Sequence, residues 1–214
     1  YSGVEWVLND VSFVDSLNGW ACGSYTIRTT DGGKTWQKIN NIPIGQFYTV
    51  EVDNTTGSPY RICGGLQDNG VMCGTDQSIP GITEPWKTIL GGDGGYVRFD
   101  PTNPNTVYAE FQFGNIYRIN LKEKSLKKIQ PKGKLGEPPL RFNWQTPFMI
   151  SPHNPFILYL GANKLFISYD RGDHWYPISP DLTTNPPIQG DVPFGTITSI
   201  SESPLKPGLI YVGT

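Results

Sequence analysis

Histidine is nearly missing from this chain of 214 residues, which holds only His153 and His174. One stands in a proline turn and the other beside an Asp-Gly turn. Neither has metal-ligand spacing, and neither joins a serine and an aspartate in a nucleophile elbow. No metal and no cofactor is expected. Charge is scarce as well: 17 basic and 19 acidic residues leave a net charge of −2. No like-charge run reaches five, so there is no basic face to track phosphates, and nucleic acid is not an expected partner. The most basic stretch, Lys122 to Lys134, is broken by Glu123 and reads as a solvated outer edge that discourages edge-to-edge pairing. No apolar run approaches bilayer length, so membrane insertion is not expected. No segment keeps a 3.6-residue apolar period, which leaves helix without support.

Cysteine is limited to three residues, too few for a disulfide framework. Cys63 and Cys73 flank one hairpin, whereas Cys22 belongs to another unit. Free, small core thiols are the favoured state; a Cys63–Cys73 bridge would instead support an oxidising compartment.

What the chain does have is 25 glycines, 19 prolines and 13% aromatics. These fall into repeats. A turn with the spacing Ser/Thr-x-Asp-x-Gly-x-x-Trp appears at Thr29, Asp31, Gly33 and Trp36, and again at Ser168, Asp170, Gly172 and Trp175. The tail of a third, Gly3-Val4-Glu5-Trp6, opens the sequence. In such a turn the aspartate accepts bonds from turn amides and glycine supplies positive φ. Paired prolines recur in phase at Pro101 and Pro104, Pro152 and Pro155, Pro204 and Pro207, roughly fifty residues apart. Each pair precedes an aromatic-centred run containing Tyr108, Tyr159 or Tyr211.

Short β-branched and aromatic runs bounded by Gly, Pro, Asn and Asp then divide the chain into units of about four strands. The units span residues 10–39, 46–89, 96–129 and 144–178, with a partial unit at 196–214. The expected class is all-β: a β-propeller fragment of about four full four-stranded blades plus partial blades at both ends. A piece of a longer protein is the preferred reading, and a closed five-blade ring the alternative.

The two full turn motifs resemble the Asp-box, or BNR repeat, of sialidases, sortilin-type receptors, photosystem-assembly propellers and xyloglucan-cleaving hydrolases. In those families the Asp-box joins the outer strands of a blade, away from the ligand face. The resemblance therefore implies structural roles for Thr29, Asp31, Gly33, Trp36, Ser168, Asp170, Gly172 and Trp175. His174 replaces the Thr35 of the first box and is expected to weaken one turn bond. The glycine-rich stretches Gly64 to Gly70 and Gly91 to Gly95 look like those of large secreted bacterial Asp-box propellers, which implies an extracellular or cell-surface location.

Ligand contacts are expected from loops at the mouth of the central channel. Asp93, among four glycines, is one candidate; a tight inter-blade crossing is the competing reading. Gln67 and Asp68 follow the second strand of their unit and Gln112 follows that of the next, although Asp68-Asn69-Gly70 is also a good hairpin turn. Trp144 is a candidate stacking surface, with Tyr96, Phe111 and Phe113 beside it. Trp36, Trp86 and Trp175 are expected in blade cores.

The stretch Tyr108 to Arg118 resembles the segment that carries a catalytic aspartate in xyloglucan-cleaving propellers, but Gln112 stands at that place. An amide cannot act as general acid or base, and this hydrolysis needs two carboxyl groups. Glu110, two positions away, is the only nearby acid. The six arginines Arg28, Arg61, Arg98, Arg118, Arg141 and Arg171 are scattered, with no sialidase-like context. The expected function is a non-catalytic propeller segment that binds or displays a glycan or protein ligand. The alternative is a glycoside hydrolase whose acids lie partly outside this segment.

Overall fold

A computed structural model describes residues 8–23, 27–38, 46–53, 55, 59–78, 86–184 and 190–214. The N-terminal turn remnant and Ile39 lie outside them. The chain divides into two compact units, Tyr1–Ile44 and Gly45–Thr214.

The first unit is one antiparallel sheet, β1 (Leu8–Phe13), β2 (Gly19–Gly23), β3 (Ile27–Thr29) and β4 (Gln37–Lys38), paired in sequence order. The second unit repeats that meander. β5 (Phe47–Val52), β6 (Arg61–Leu66), β7 (Gly70–Thr75) and β8 (Lys87–Leu90) form its first sheet. β9 (Gly94–Phe99), β10 (Thr106–Phe111), β11 (Asn115–Asn120) and β12 (Ser125–Lys128) form its second. β13 (Phe148–Ile150), β14 (Leu158–Gly161), β15 (Leu165–Ser168) and β16 (Tyr176–Pro177) form its third. β17 (Ser199–Glu202) and β18 (Ile210–Gly213) make a two-stranded sheet.

The sheets of the second unit pack face to face, which explains why β10 is buried at five successive positions instead of alternating. Val107 and Ala109 point toward the preceding sheet and pack with Cys63, Val71, Val97 and Ile119. Tyr108 points the other way and packs with Ile116, Phe148, Leu158 and Leu160. Burying each such side chain contributes roughly 1.5–3 kcal/mol. The phased tyrosines differ in exposure: Tyr108 and Tyr159 are buried, at 0% and 3%, whereas Tyr211 is 61% exposed. Tyr159 donates its hydroxyl to Glu202 Oε1 at 3.1 Å.

Every first-to-second strand turn is braced by one side chain. Asp15 accepts from the amides of Leu17 and Asn18, Asp53 from Thr55, and Asp100 from Thr102. Ser151 and Ser203 accept from His153 and Leu205 in the same way. Arg171 clasps two sheets together, donating to Asp100 at 2.9 Å and to Thr102 at 2.8 Å while lying over the Phe156 ring.

Both Asp-Gly turns join a third strand to a fourth. Asp31 Oδ1 accepts from the Thr29 hydroxyl and the Thr35 amide, and its Oδ2 from the Thr35 hydroxyl. In the second turn Ser168 and the His174 amide bond Asp170, and His174 Nδ1 meets Oδ2 at 2.5 Å. The expected loss of a turn bond at His174 does not occur, because the imidazole takes the place of the threonine hydroxyl. These bonds hold both carboxyls down at about 2: the Thr35 hydroxyl leads at Asp31, while at Asp170 the His174 and Ser168 bonds outweigh a burial effect of opposite sign.

Two other expectations need correction. Cys63 and Cys73 form a disulfide rather than two free thiols, because β6 and β7 pair them directly, with Cα atoms 4.1 Å apart. Trp36 and Trp86 are half-buried at the outer edges of their sheets and not enclosed in a core, whereas Trp175, also half-buried, packs against the Tyr108 cluster as expected and donates its indole N–H to the Ile129 carbonyl.

Candidate functional site

In these meanders the second-to-third strand turns and the loops leading into the next sheet lie at one end. The braced turns and the Asp-Gly turns lie at the other. Within the second unit the two sets of expected residues are therefore separated, with Asp170 at the far end from the candidate ligand loops; Asp31 stands at the braced-turn end of its own sheet.

Those loops meet. The turn Gln67-Asp68-Asn69 joins β6 to β7, and its Asp68 amide donates to Asp93 Oδ1 at 2.7 Å. The Asp93 amide donates to Gln112 Oε1 at 2.8 Å, and the Gln112 amide returns a 3.2 Å bond to the Asp93 carbonyl. The next residue, Phe113, donates its amide to the Trp144 carbonyl at 3.2 Å, and the two rings meet edge to face at 5.2 Å. Gln67, Asp68, Asp93, Gln112 and Trp144 thus line one lip, linked in order. Asp68 and Gln67 are exposed; Asp93, Gln112, Phe113 and Trp144 are half-buried. Among the described residues the Asp68 carboxylate, Asp93 Oδ2 and the Gln112 side-chain N–H groups make no hydrogen bond within the chain, so a ligand could use them.

The glycines around Asp93 serve mainly a tight crossing. A Cβ on Gly94 would strike the Gly70 carbonyl and approach the Gly65 Cα to 2.8 Å, and one on Gly65 would strike the Gly94 and Gly95 carbonyls. Backbone packs directly on backbone there, reinforced by the Thr49 hydroxyl donating to the Gly95 carbonyl at 2.7 Å. Gly92 has φ +84°, whereas a Cβ on Gly91 would meet nothing within 4 Å.

Two of the expected aromatics are consumed by packing. Phe111 stacks on Tyr117 at 5.9 Å, and Tyr96 meets Phe148 edge to face beside Arg98. Phe113 is different. It sits at φ +65°, as Asp68 does at +60°. A bulky residue in that region costs about 1 kcal/mol and marks a position where the surroundings over-determine the backbone.

Glu110 is not at the lip surface. It is fully buried one layer below, and Oε2 has no partner. Burial pushes its carboxyl well above the ordinary range, only partly offset by the Tyr96 and Thr146 amides and the Arg98 charge. An acid enclosed in this way cannot reach a sugar. Asp191 is exposed in the loop before β17. Among the described residues no group of three His, Cys, Asp or Glu could hold a metal, and no helix is long and apolar enough to cross a membrane.

The sequential four-stranded antiparallel meanders, stacked through their faces within the second unit, decide the architecture. The chain is a run of β-propeller blades. No family model matches it, and no curated protein does. Solved structures do. A GH74 xyloglucanase from Xanthomonas campestris is similar at 15% identity and a TM-score of 0.52, over 87% of this chain and 32% of that one. An ancestral GH74 enzyme is similar at 16% identity and a TM-score of 0.52, over 92% and 26%. YCF48 from Cyanidioschyzon merolae is similar at 18% identity and a TM-score of 0.44, over 94% and 61%. The chain spans about a third or less of the GH74 enzymes. At such identities the likeness shows the fold alone.

Sequence reasoning named two residues of this region without their structural character. Phe113 was legible as an aromatic but not as a strained one. Glu110 was legible as an acid, and its signal is the repeat phase: the positions equivalent to it, two residues before Gln67 and two after Tyr159, are Gly65 and Gly161.

Proposed function

We propose that this chain is a non-catalytic stretch of Asp-box propeller whose lip at Asp68, Asp93, Gln112, Phe113 and Trp144 binds a glycan. The observation that carries this reading is the convergence of unused carboxylate and amide groups with an aromatic pair on one edge. Sugars are held by that combination, hydroxyls on polar groups and a pyranose face on a ring. Gln67 supplies a further amide. Asp31 and Asp170 act as turn braces. The Cys63–Cys73 disulfide supports an oxidising compartment and hence an extracellular or cell-surface location.

A glycan array followed by calorimetric titration with cellohexaose tests the reading. Asp93→Ala and Trp144→Ala should each lower affinity by about tenfold or more, as expected for loss of a charge-assisted hydrogen bond or a stacking contact. Asp31→Ala should leave affinity unchanged. Binding that survives both lip substitutions refutes the assignment.

A second reading, a glycoside hydrolase, is favoured by one observation: Asp68 and Asp93 share the lip. Hydrolysis requires one carboxyl group protonated and another ionised across the bond, about 5–10 Å apart. Release of reducing sugar from xyloglucan by this chain, lost in Asp68→Asn, would select that reading over binding alone.

A further inference from the structure

Trp144 lies between two anchorages, and the second of them is built around a buried cation. Residues 129–147 and 178–198 are the longest connections between the strands, and they lead into β13 and β17 at the lip's end of the fold. Connections longer than about 12–15 residues are uncommon in compact domains and mostly carry function. Arg141, in the first, reaches across to the second. Its Nε donates to the Gly195 carbonyl at 3.1 Å, and one Nη donates to Asp181 at 2.8 Å and to the Thr183 hydroxyl at 2.9 Å. Two residues on, the Asn143 side chain donates to the Thr196 hydroxyl at 2.9 Å. Trp144 comes next, with Phe113 against its other side.

The repeat sharpens the point. Gln112 and Asn163 hold the same place in the second-to-third strand turns of successive sheets. Gln112 Oε1 accepts from the Asp93 amide, and Asn163 Oδ1 accepts from the Arg141 amide at 3.2 Å. Arg141 therefore stands to its sheet as Asp93 stands to the one before. Their side chains run in opposite senses. Asp93 reaches back and takes the Asp68 amide, whereas Arg141 reaches forward to the next connection. Asn163 supports that reach, since its Nδ2 donates to the same Asp181 oxygen at 2.8 Å and its carbonyl accepts from the Leu182 amide at 3.0 Å.

The Arg141 side chain is only 13% exposed. A charge so enclosed is costly unless it is paired and hydrogen-bonded, and here it is both. Its planar fork meets three acceptors in one fixed geometry, which the point charge of a lysine cannot do. One acceptor is itself pinned: Gly195 sits at φ +67°, and a Cβ there would strike the Thr184 carbonyl. By contrast, the Lys164–Glu137 pair that joins the first connection to the Asn163 turn lies nearer the surface, where such pairs contribute little.

We propose that Arg141 is a positioning residue of the ligand face: through Asp181, Thr183 and Gly195 it fastens the Trp144-bearing segment to the connection entering β17, so that the indole is held from both sides. The purpose assigned to the clasp rests on the ligand-face reading above, but its geometry requires no ligand.

The test uses the full chain. Emission assigned to Trp144, taken as the difference from Trp144→Phe in each background, should shift to the red in Arg141→Lys, which keeps a charge opposite Asp181 but loses the fork. Arg141→Ala should shift it at least as far; if that variant does not fold, Arg141→Lys decides alone. Glu137→Gln, which removes only the outer pair, should leave the emission as in the parent. Arg141→Lys should bind cellohexaose about tenfold more weakly than the parent, as expected for loss of hydrogen bonds to a charged group. Added to Trp144→Ala, it should weaken binding no further. A residue that only supported the fold would lower the melting temperature without that non-additivity. Parent-like Trp144 emission in Arg141→Lys, or losses of affinity that multiply in the double variant, overturn the proposal. If the parent chain does not bind cellohexaose, the ligand-face reading fails and the emission result alone judges the clasp.

Discussion

The seam where Gly65 meets Gly94 and Gly95 invites a matched pair of substitutions. In Gly65→Ala the new methyl would sit about an ångström inside ordinary contact with main-chain atoms of the next blade. Side-chain collisions can be relieved by a rotamer change, but a carbonyl in a paired strand has no such escape. Overpacking usually costs about 1–3 kcal/mol, and the rigid partner puts this case at the upper end. Parting the strands also loosens the Thr49–Gly95 hydrogen bond, worth about 1 kcal/mol. The sum is about 3–4 kcal/mol, which for a unit of this size corresponds to a fall in melting temperature of about 10 °C. Gly91→Ala is the control: its Cβ would enter open space, and reduced freedom in the unfolded chain should raise stability by about 0.4–1 kcal/mol. Calorimetric or circular-dichroism melting of the three proteins reads the difference. Should Gly65→Ala melt within about 2 °C of the parent, the seam is looser than described and the reasoning fails.

Removing the Cys63–Cys73 bridge frees a loop whose ends are 10 residues apart, an unfolded-state gain of about 3 kcal/mol. Melting with and without a reductant should differ accordingly, and coincident curves would refute that contribution. In acid the two Asp-Gly turns should fail together: both carboxyls titrate near 2 when folded, against an ordinary 3.8, so their contribution is present above about pH 4 and is lost as pH falls through about 2. Asp31→Asn with Asp170→Asn should flatten the acid limb of a melting-temperature profile; an unaltered limb would mean the turns do not matter.

Sheet order and turn positions could be read from the chain because four local signals repeat with one phase, and each is chemistry of adjacent residues. The first-to-second strand brace was visible only where prolines marked it; Asp15 and Asp53 make the same brace without proline, through an aspartate two residues before the amide it bonds. The disulfide was open to inference too. Once Asp68 is taken as the hairpin centre, Cys63 and Cys73 lie five residues to either side and must face each other. The bulge in β9, where Ala109 pairs with Val97 but Phe111 with Gly94, was not legible, since a ladder's slip depends on both strands and on what packs behind them. That is also why Glu110, legible as an acid two positions from Gln112, gave no hint of its burial, and why Phe113 gave no hint of its backbone. Gln67, Asp68, Asp93, Gln112 and Trp144 could each be named from the chain as candidates, but the bonds that link Asp68, Asp93 and Gln112 depend on a crossing between blades that no single repeat encodes.

The braces at Asp15, Asp53, Asp100, Ser151 and Ser203 close over two or three residues. Contacts that short form in a nascent chain long before distant segments meet, and hairpins assemble in microseconds. Each blade therefore carries its own nucleus, so the search left to the polypeptide is for docking between ready-made leaves rather than for pairing among the eighteen strands of the described residues.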